Sequence, residues 1–188
     1  MKSSEPTGRA DAPEVVVERL DRAHHDCSRF SCGKAPLDHY LRETVERDQD
    51  ERTAVAYVLV DKDQPAKFRR VIGYFTLNSF AFPKKQARRR DQDRNLGRYN
   101  PVPAVLLGRL ALDEAFQGRG LGSVLVVSAL TQVLTLSEQL GTAVVVVHAI
   151  DDEAASFYEH QGFMRFRDEP RHLYYPLATF AAALAPTE

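Results

Sequence analysis

The sequence predicts one domain of mixed α/β class, α+β in type, and three observations carry that expectation. The chain has 188 residues, 44% hydrophobic and 27% charged, which suits one compact domain with a sizeable core and would be cramped for two. Short apolar, β-branched runs alternate with stretches of three- and four-residue periodicity, in the order β, α, β, β, loop, β, α, β, α, β, β. One of the strand-like runs ends in a glycine-rich turn that opens a helix.

Each element has its own signature. Residues 1–13 are polar and form an expected flexible tail, with no apolar stretch of the kind a secretory signal carries. Residues 15–20 are a short β-branched run, followed by a polar loop that ends in Ser31-Cys32-Gly33. From Pro36, tolerated in a first helical turn, Leu37, Tyr40, Leu41, Thr44 and Val45 recur at helical spacing, and the charged residues 46–52 close that helix against solvent. Residues 54–60 and 71–82 read as two strands joined by the turn 61–65, an antiparallel hairpin. The charged stretch 83–101 has no period of two, so it is a long loop or a short exposed helix. Residues 102–112 read as a central strand with Gly108 inside it, where glycine marks a bulge or a close backbone approach. A helix follows the glycine turn with apolar Leu121, Val124, Leu125, Leu130, Val133 and Leu136, and 143–147 is a fully buried strand. Asp151 can cap a short helix over 153–160 that Gly162 ends, and 163–166 with 172–177 make a final hairpin. The domain is expected to span 14–178, with 179–188 a small-residue C-terminal tail.

Composition excludes several classes. No apolar run approaches the ~20 residues of a membrane-spanning helix. Cys27 and Cys32 are the only cysteines, too few for a disulfide framework or a zinc site; they are expected as free thiols in a reducing cytoplasm. His24 and His25 have no partner at ligand spacing, so no metal is expected. Net charge is −1, yet between Lys67 and Arg98 ten basic residues face two acids, a local +8 that leaves −9 elsewhere. The chain carries a basic face that its average charge hides.

The sharpest chemical signal is Gln117-Gly118-Arg119-Gly120-Leu121-Gly122 between a strand and a helix. Glycines let consecutive N–H groups point outward at a helix N-terminus, a site for a diphosphate. The Walker pattern is absent, for no Gly-Lys-Ser/Thr occurs, and the Rossmann pattern fits less well. With Leu110-Ala111-Leu112-Asp113 before it and Ala155-Ser156-Phe157-Tyr158-Glu159-His160-Gln161-Gly162-Phe163 after it, the turn resembles that of the Gcn5-related N-acetyltransferase (GNAT) superfamily. The resemblance implies the GNAT fold, a mixed, mostly antiparallel sheet splayed at its centre with helices on both faces. It implies acetyl-CoA in the split, its pantetheine arm adding to the freed strand edge and its diphosphate on the glycine turn. Leu110, Ala111, Leu112, Gln117, Gly118, Arg119, Gly120, Leu121 and Gly122 are therefore the implied cofactor positions, with an N–H near Leu112 as the oxyanion donor. Tyr158 stands where the family places a tyrosine that protonates the departing thiolate; a phenol near ~10 and a thiol near ~8.5 are close enough in pKa for one hydrogen bond to serve.

No carboxylate announces itself as a general base: Glu43, Asp113 and Asp152 are candidates by position only, and capping or solvated roles suit each better. An α-amino group, with pKa near ~7.7 to 8.0, needs less help than a lysine at ~10.4. A closer resemblance, over about residues 28–177, rests on Phe30-Ser31-Cys32-Gly33, Leu37-Asp38-His39-Tyr40-Leu41, Gly73-Tyr74-Phe75-Thr76-Leu77, Pro103 and Leu107-Gly108-Arg109-Leu110-Ala111-Leu112-Asp113. These segments resemble the acetyltransferase toxins of bacterial type II toxin–antitoxin systems, the TacT and AtaT group. That group acetylates the amino group of charged tRNA and stops translation, which implies aminoacyl-tRNA as acceptor, a ribbon-helix-helix antitoxin as partner, and a homodimer for which Tyr174 and Tyr175 of the final hairpin offer an apolar edge. Lys84, Lys85, Arg88, Arg89, Arg90, Arg94 and Arg98 are the candidate tRNA contacts, with Tyr99 able to stack on a base. Two other readings stay open on the residues alone: acetylation of a small amine or protein N-terminus, and a CoA-binding domain without turnover.

Overall fold

The computed structural model describes residues 14–94 and 96–185; the expected tail over 1–13 lies outside the described residues. Its strands are β1 (Val15–Arg19), β2 (His25–Asp26), β3 (Val55–Asp61), β4 (Arg69–Phe82), β5 (Val102–Leu112), β6 (Val144–His148), β7 (Met164–Arg165) and β8 (His172–Pro176). The helices are α1 (Ala35–His39), which runs through a π-turn (Tyr40–Thr44) into α2 (Val45–Asp50), then α3 (Arg89–Arg94), α4 (Leu121–Ser137), α5 (Asp152–His160) and α6 (Leu177–Leu184). Apart from the two-residue β2, which the sequence pattern missed, the strands occur where periodicity predicts them.

The sheet order is β1-β3-β4-β5-β6-β8-β7, with β2 beside β4. Neighbours along it are antiparallel except for β5 and β6, which are parallel. That parallel pairing extends only from Ala104↔Val144 to Leu107↔Val147, so β5 continues to Leu112 with one edge released. The split coincides with a bulge. Thr76 pairs with Arg109 and Leu77 with Leu107, which leaves Gly108 as the extra residue. Of the bulge or close backbone approach expected at this glycine, the bulge is what occurs; a Cβ there would meet side chains, lying 2.8 Å from Asn78 Oδ1 and 3.2 Å from Thr76 Oγ1.

Alternating side chains build three cores. On one face α4, α5 and α6 cover Phe75, Leu77, Leu107, Val145, Val147 and Leu173. On the other, α1 and α2 cover Val58, Tyr74 and Ala111 at one end, while the segment 83–101 covers Phe82, Val102, Val144 and Tyr174 at the opposite end. Helices thus lie on both faces of a mixed, mostly antiparallel, split sheet, as the family resemblance implies.

Two expectations are corrected. The tail expected from residue 179 begins as helix: α6 buries Leu177 and Phe180, three residues apart, and its alanine-rich remainder is a strong helix former. Tyr174 and Tyr175 do not form an exposed apolar edge. β8 is flanked by β6 and β7, Tyr174 is fully buried, and Tyr175 packs on Phe163 and Phe180.

Candidate active site

The released edge of β5 opens into a cleft of about 500 Å³. Asp113 N–H bonds back to Ile72 on β4, so alternation turns the N–H and C=O groups of Leu110 and Leu112 to the opposite edge, where β6 no longer runs. The Leu112 carbonyl is taken by the Gln117 carboxamide at 3.0 Å, which also reaches the Cys32 carbonyl at 3.3 Å. The Leu112 N–H and both Leu110 groups are left facing the cleft.

The outer end of the cleft is the N-terminus of α4. Gly118 and Gly120 have φ of 73° and 78°, and a Cβ at either would meet nothing within 4 Å. Backbone conformation therefore demands glycine here, not space. Gly120 is the N-cap and provides no side-chain oxygen; the Ser123 N–H turns back to the Gly120 carbonyl at 3.1 Å, and the Leu121 and Gly122 N–H groups carry no side-chain cap, a site suited to an anion.

One wall comes from the Phe30-Ser31-Cys32-Gly33 segment, tied to the turn after β5. Glu114 N–H donates to the Ser31 carbonyl at 2.8 Å, and Ser31 N–H donates to Asp113 at 3.3 Å. The other wall is the start of α5, where Asp151 accepts from Ala154 N–H at 2.8 Å. Lys34 spans from wall to wall, its ammonium 2.9 Å from Asp151. The Ala154 N–H and then the Lys34 ammonium hold the Asp151 carboxyl below the ordinary carboxylate range. Burial pushes the Cys32 thiol, on the cleft wall, up to about 11, so it stays protonated and is no nucleophile at neutral pH.

Of the nine expected cofactor positions, Leu110, Ala111, Leu112, Gln117, Gly118, Gly120 and Gly122 line the cleft. Arg119 instead stands exposed with its guanidinium 5.5 Å from the Phe116 ring centroid, and Leu121 is buried under α4. Tyr158 lies on α5 with its ring packed between Phe157 and Phe163, and its neighbour Phe157 lines the cleft while Tyr158 does not. Its hydroxyl has no hydrogen-bond partner among the described residues. Burial raises its pKa, so the phenol remains a proton donor across the physiological range.

The positional acids prove structural. Asp113 is buried, caps the 3₁₀ turn Glu114–Phe116 and pairs with Arg70 at 3.1 Å. Asp152 pairs with Arg171 on the surface, and Glu43 is exposed. Among the described residues no group of three or more His, Cys, Asp or Glu side chains could hold a metal ion.

The basic segment sits at the far end of β5 from the glycine turn, roughly 33 Å of strand away. It is more ordered than a plain loop. Lys84 lies in the 3₁₀ turn Lys84–Gln86, and its ammonium donates to the Gly97 carbonyl at 2.7 Å. Asp91 of α3 points inward, 3% exposed, and accepts from the fully buried Tyr174 hydroxyl at 2.6 Å; that hydroxyl accepts from Arg88 N–H at 3.2 Å. Lys85, Arg89, Arg90 and Arg98 are exposed, the last over the Tyr99 ring, and Arg94 ends the helix. Although buried, Asp91 keeps its Oδ1 3.9 Å from Arg90 Nε, so its charge stays next to the basic surface.

A split sheet whose freed edge runs through a glycine turn into a helix is the arrangement that the resemblance to the GNAT superfamily implies, and comparison with known proteins agrees. A family model for the acetyltransferase (GNAT) domain matches residues 50–165. The chain is 34% identical over 148 residues to a tRNA-acetylating toxin of Mycobacterium tuberculosis, covering 79% of this chain and 84% of that protein. It superposes on AtaT complexed with acetyl-methionyl-tRNAfMet with a TM-score of 0.81, at 28% identity over 92% of this chain and all (100%) of that one. A tyrosine-to-phenylalanine variant of AtaT bound to the C-terminus of the antitoxin AtaR and acetyl-CoA gives a TM-score of 0.76, at 28% identity over 92% of this chain and 99% of that one. The chain belongs to the GNAT acetyltransferase family, and it is an N-acetyltransferase.

Proposed function

We propose that this enzyme transfers the acetyl group of acetyl-CoA to the α-amino group of aminoacyl-tRNA in a ternary complex, and so blocks translation as the toxin of a toxin–antitoxin pair. The observation that carries the reading is the freed edge of β5 leading into the uncapped N-terminus of α4, one continuous groove for a long, diphosphate-bearing thioester. Similarity to a tRNA-acetylating toxin and to AtaT with its acetylated tRNA supports the acceptor. No helix among the described residues is long and apolar enough to cross a membrane, and the proposed site of action is the cytoplasm.

Acetyl-CoA supplies an activated acetyl group. Leu110 offers an N–H and a C=O to an extended amide chain as a neighbouring strand would. The Leu112 N–H is the donor for charge developing on the acyl oxygen. The amides after Gly118 and Gly120 receive the diphosphate. Tyr158, kept protonated by burial, donates its Oη proton toward the departing sulfur. An α-amine at ~7.7 to 8.0 is partly neutral at cellular pH, so it attacks without a carboxylate base; the proton that its nitrogen sheds on acylation passes to solvent, and a solvent proton restores the Tyr158 phenol. Lys84, Lys85, Arg88, Arg89, Arg90, Arg94 and Arg98 contact tRNA phosphates, and binding weakens steeply with salt.

The proposed partner is a ribbon-helix-helix antitoxin, and the proposed assembly a homodimer. AtaT bound to the AtaR C-terminus supports the first. The seventeen residues of α4 include no charged side chain, and Val124, Val127 and Leu136 are exposed on it, an apolar surface suited to association.

The test is transfer of labelled acetyl groups from acetyl-CoA to a pool of charged tRNAs, beside peptides and small amines. Label on the aminoacyl end is expected, with a loss of roughly 10²- to 10⁴-fold in Tyr158→Phe. Label on peptides or small amines alone would discard the tRNA reading, and full turnover by a folded Tyr158→Phe would discard Tyr158 as the acid.

A further inference from the structure

On the face of the sheet opposite α4, two apolar clusters leave a gap between them. One lies under α1 and α2, the other under the segment 83–101. In that gap, beside the Gly108 bulge, stands Arg109. The arginine is half-buried, and its guanidinium carbon lies 3.4 Å from the centroid of the Tyr40 ring. Among the described residues it has no carboxylate, carbonyl or hydroxyl partner.

Three other half-buried arginines on or beside the sheet have ionic or carbonyl partners at their terminal nitrogens, although the Nε of each stays unpaired. Arg69 pairs with Glu18, and Arg70 pairs with Asp113 at 3.1 Å. Arg22, at the rim, reaches the carbonyls of Leu41, at 3.2 Å, and Arg42. Arg109 alone in this group keeps five N–H donors for something that the chain does not supply. A guanidinium drawn partly out of water without an anion is costly, and a ring on one face offsets only part of that cost.

The platform beneath it is held firmly. Tyr40 opens the π-turn, its hydroxyl donates to Asp48 at 2.9 Å, and its ring stacks on Tyr74, whose own hydroxyl donates to the Leu37 carbonyl at 2.9 Å. Burial and Asp48 push the Tyr40 phenol up to about 12, so the ring stays neutral and Arg109 gains no counter-ion from it. The guanidinium is therefore fixed in place with its N–H edge open. Its location is informative as well. Leu110, the next residue, lines the cleft, and Gly108, the previous one, marks where β5 and β6 part. The basic segment begins on the same face at the other end of β5, roughly 23 Å from Arg109.

We infer that Arg109, stacked on Tyr40, binds the phosphate of the acceptor's 3′-terminal nucleotide and so positions the aminoacyl ester at the sheet split. The proposal rests on the tRNA reading above and deepens it. The basic segment would grip the body of the RNA without selecting its end, while Arg109 fixes the end against the acetyl group. A bidentate guanidinium suits a phosphate at this point better than a lysine does, because its plane lies on the ring while its edge meets two oxygens. Arg109 is a positioning residue, since it touches the acceptor away from the reacting nitrogen.

The experiment compares two acceptors carrying the same aminoacyl ester, charged tRNA and aminoacyl-adenosine, which lacks the phosphate. In Arg109→Met, kcat/KM for charged tRNA is expected to fall by roughly 10- to 100-fold, through KM, while aminoacyl-adenosine is used as before. Arg109→Lys keeps the charge without the fork or stack and is expected to fall between the two. Binding of a short single-stranded RNA ending in CCA gives a second readout, in which Arg109→Met lowers the slope of log K against log salt by about 0.7. Melting temperature and acetyl-CoA affinity are expected to be unchanged in both variants. Equal losses on both acceptors, or a lowered melting temperature in both variants, would show that Arg109 only braces Tyr40 and would overturn the proposal. Unchanged tRNA kinetics in the variants would overturn it while leaving the tRNA reading intact. Failure of the wild type to acetylate charged tRNA would remove that reading, and this proposal with it.

Discussion

Tyr174→Phe isolates the tether that presents the basic segment. The substitution keeps the ring in its packing against Phe82 and Phe166, with centroids 6.4 and 4.9 Å away, and removes only the hydroxyl. Two bonds are lost: the donor to Asp91 at 2.6 Å and the acceptor for Arg88 N–H at 3.2 Å. A hydrogen bond to a buried carboxylate contributes about 1.5–3 kcal/mol, and a backbone bond about 1. The combined loss, roughly 2.5–4 kcal/mol, falls on α3 and the turn before it, because both partners belong to the segment 83–101. Each 1.4 kcal/mol is tenfold, so opening of this segment becomes roughly 60- to 700-fold more favourable. Hydrogen exchange followed by mass spectrometry is expected to show faster exchange over 84–94 while β4 and β5 keep their protection. In acetylation assays the KM for charged tRNA rises while kcat and acetyl-CoA affinity hold. Unchanged exchange in α3 would refute the tether, and faster exchange without any change in KM would separate the segment from tRNA binding.

Gly120→Ala places a Cβ at φ 78° with open space around it, so the cost is conformational. It is expected to be about 1–2 kcal/mol in stability, read by denaturant melts, with a weakened acetyl-CoA Kd because the α4 amides are re-aimed; an unchanged Kd would remove the glycine turn from the site. Burial pushes the Cys27 and Cys32 thiols up to about 11, so their reaction with a disulfide reagent is expected to be slow at pH 7.5, to climb about tenfold per pH unit toward pH 10, and to become fast at once in denaturant. Rapid labelling of the native protein at pH 7.5 would contradict their burial.

Much of the fold was legible because the local rules agree with the tertiary result. β-branched runs became strands, the glycine turn became a helix start, and Gly108, read as a bulge or a close backbone approach from its place inside an apolar strand, became a bulge. What failed to show was long-range. Asp91 reads as an interruption of a basic run, whereas a hydrogen bond from Tyr174, 83 residues away, holds its carboxylate inward. The small residues of 178–184 read as a tail, because alanine signals helix propensity without marking a buried face; Leu177 and Phe180 were the available clue. The cleft lining was legible from Leu110 to Gly122, but not that Arg119 would turn away from it. Tyr40 and Arg109 occur in separate motifs, and no spacing rule brings them together.

The bulge at Gly108 links the two halves of the site. Before it, Val105 and Leu107 point to the α4 face; after it, Leu110 and Leu112 do. In an unbroken strand, odd-numbered residues would continue to that face, and Arg109 would be driven into the core among Phe75, Leu121 and Leu125. The extra residue reverses the alternation, sends Arg109 and Ala111 to the α1–α2 face, and turns Leu110 and Leu112 back under α4. It also comes immediately after the last pair that β5 makes with β6. One inserted glycine therefore frees the edge that would receive acetyl-CoA and exposes, on the opposite face and one residue away, the cation proposed to hold the acceptor. The two substrates can then approach the split from different sides, which is the geometry that direct transfer without an acyl-enzyme requires.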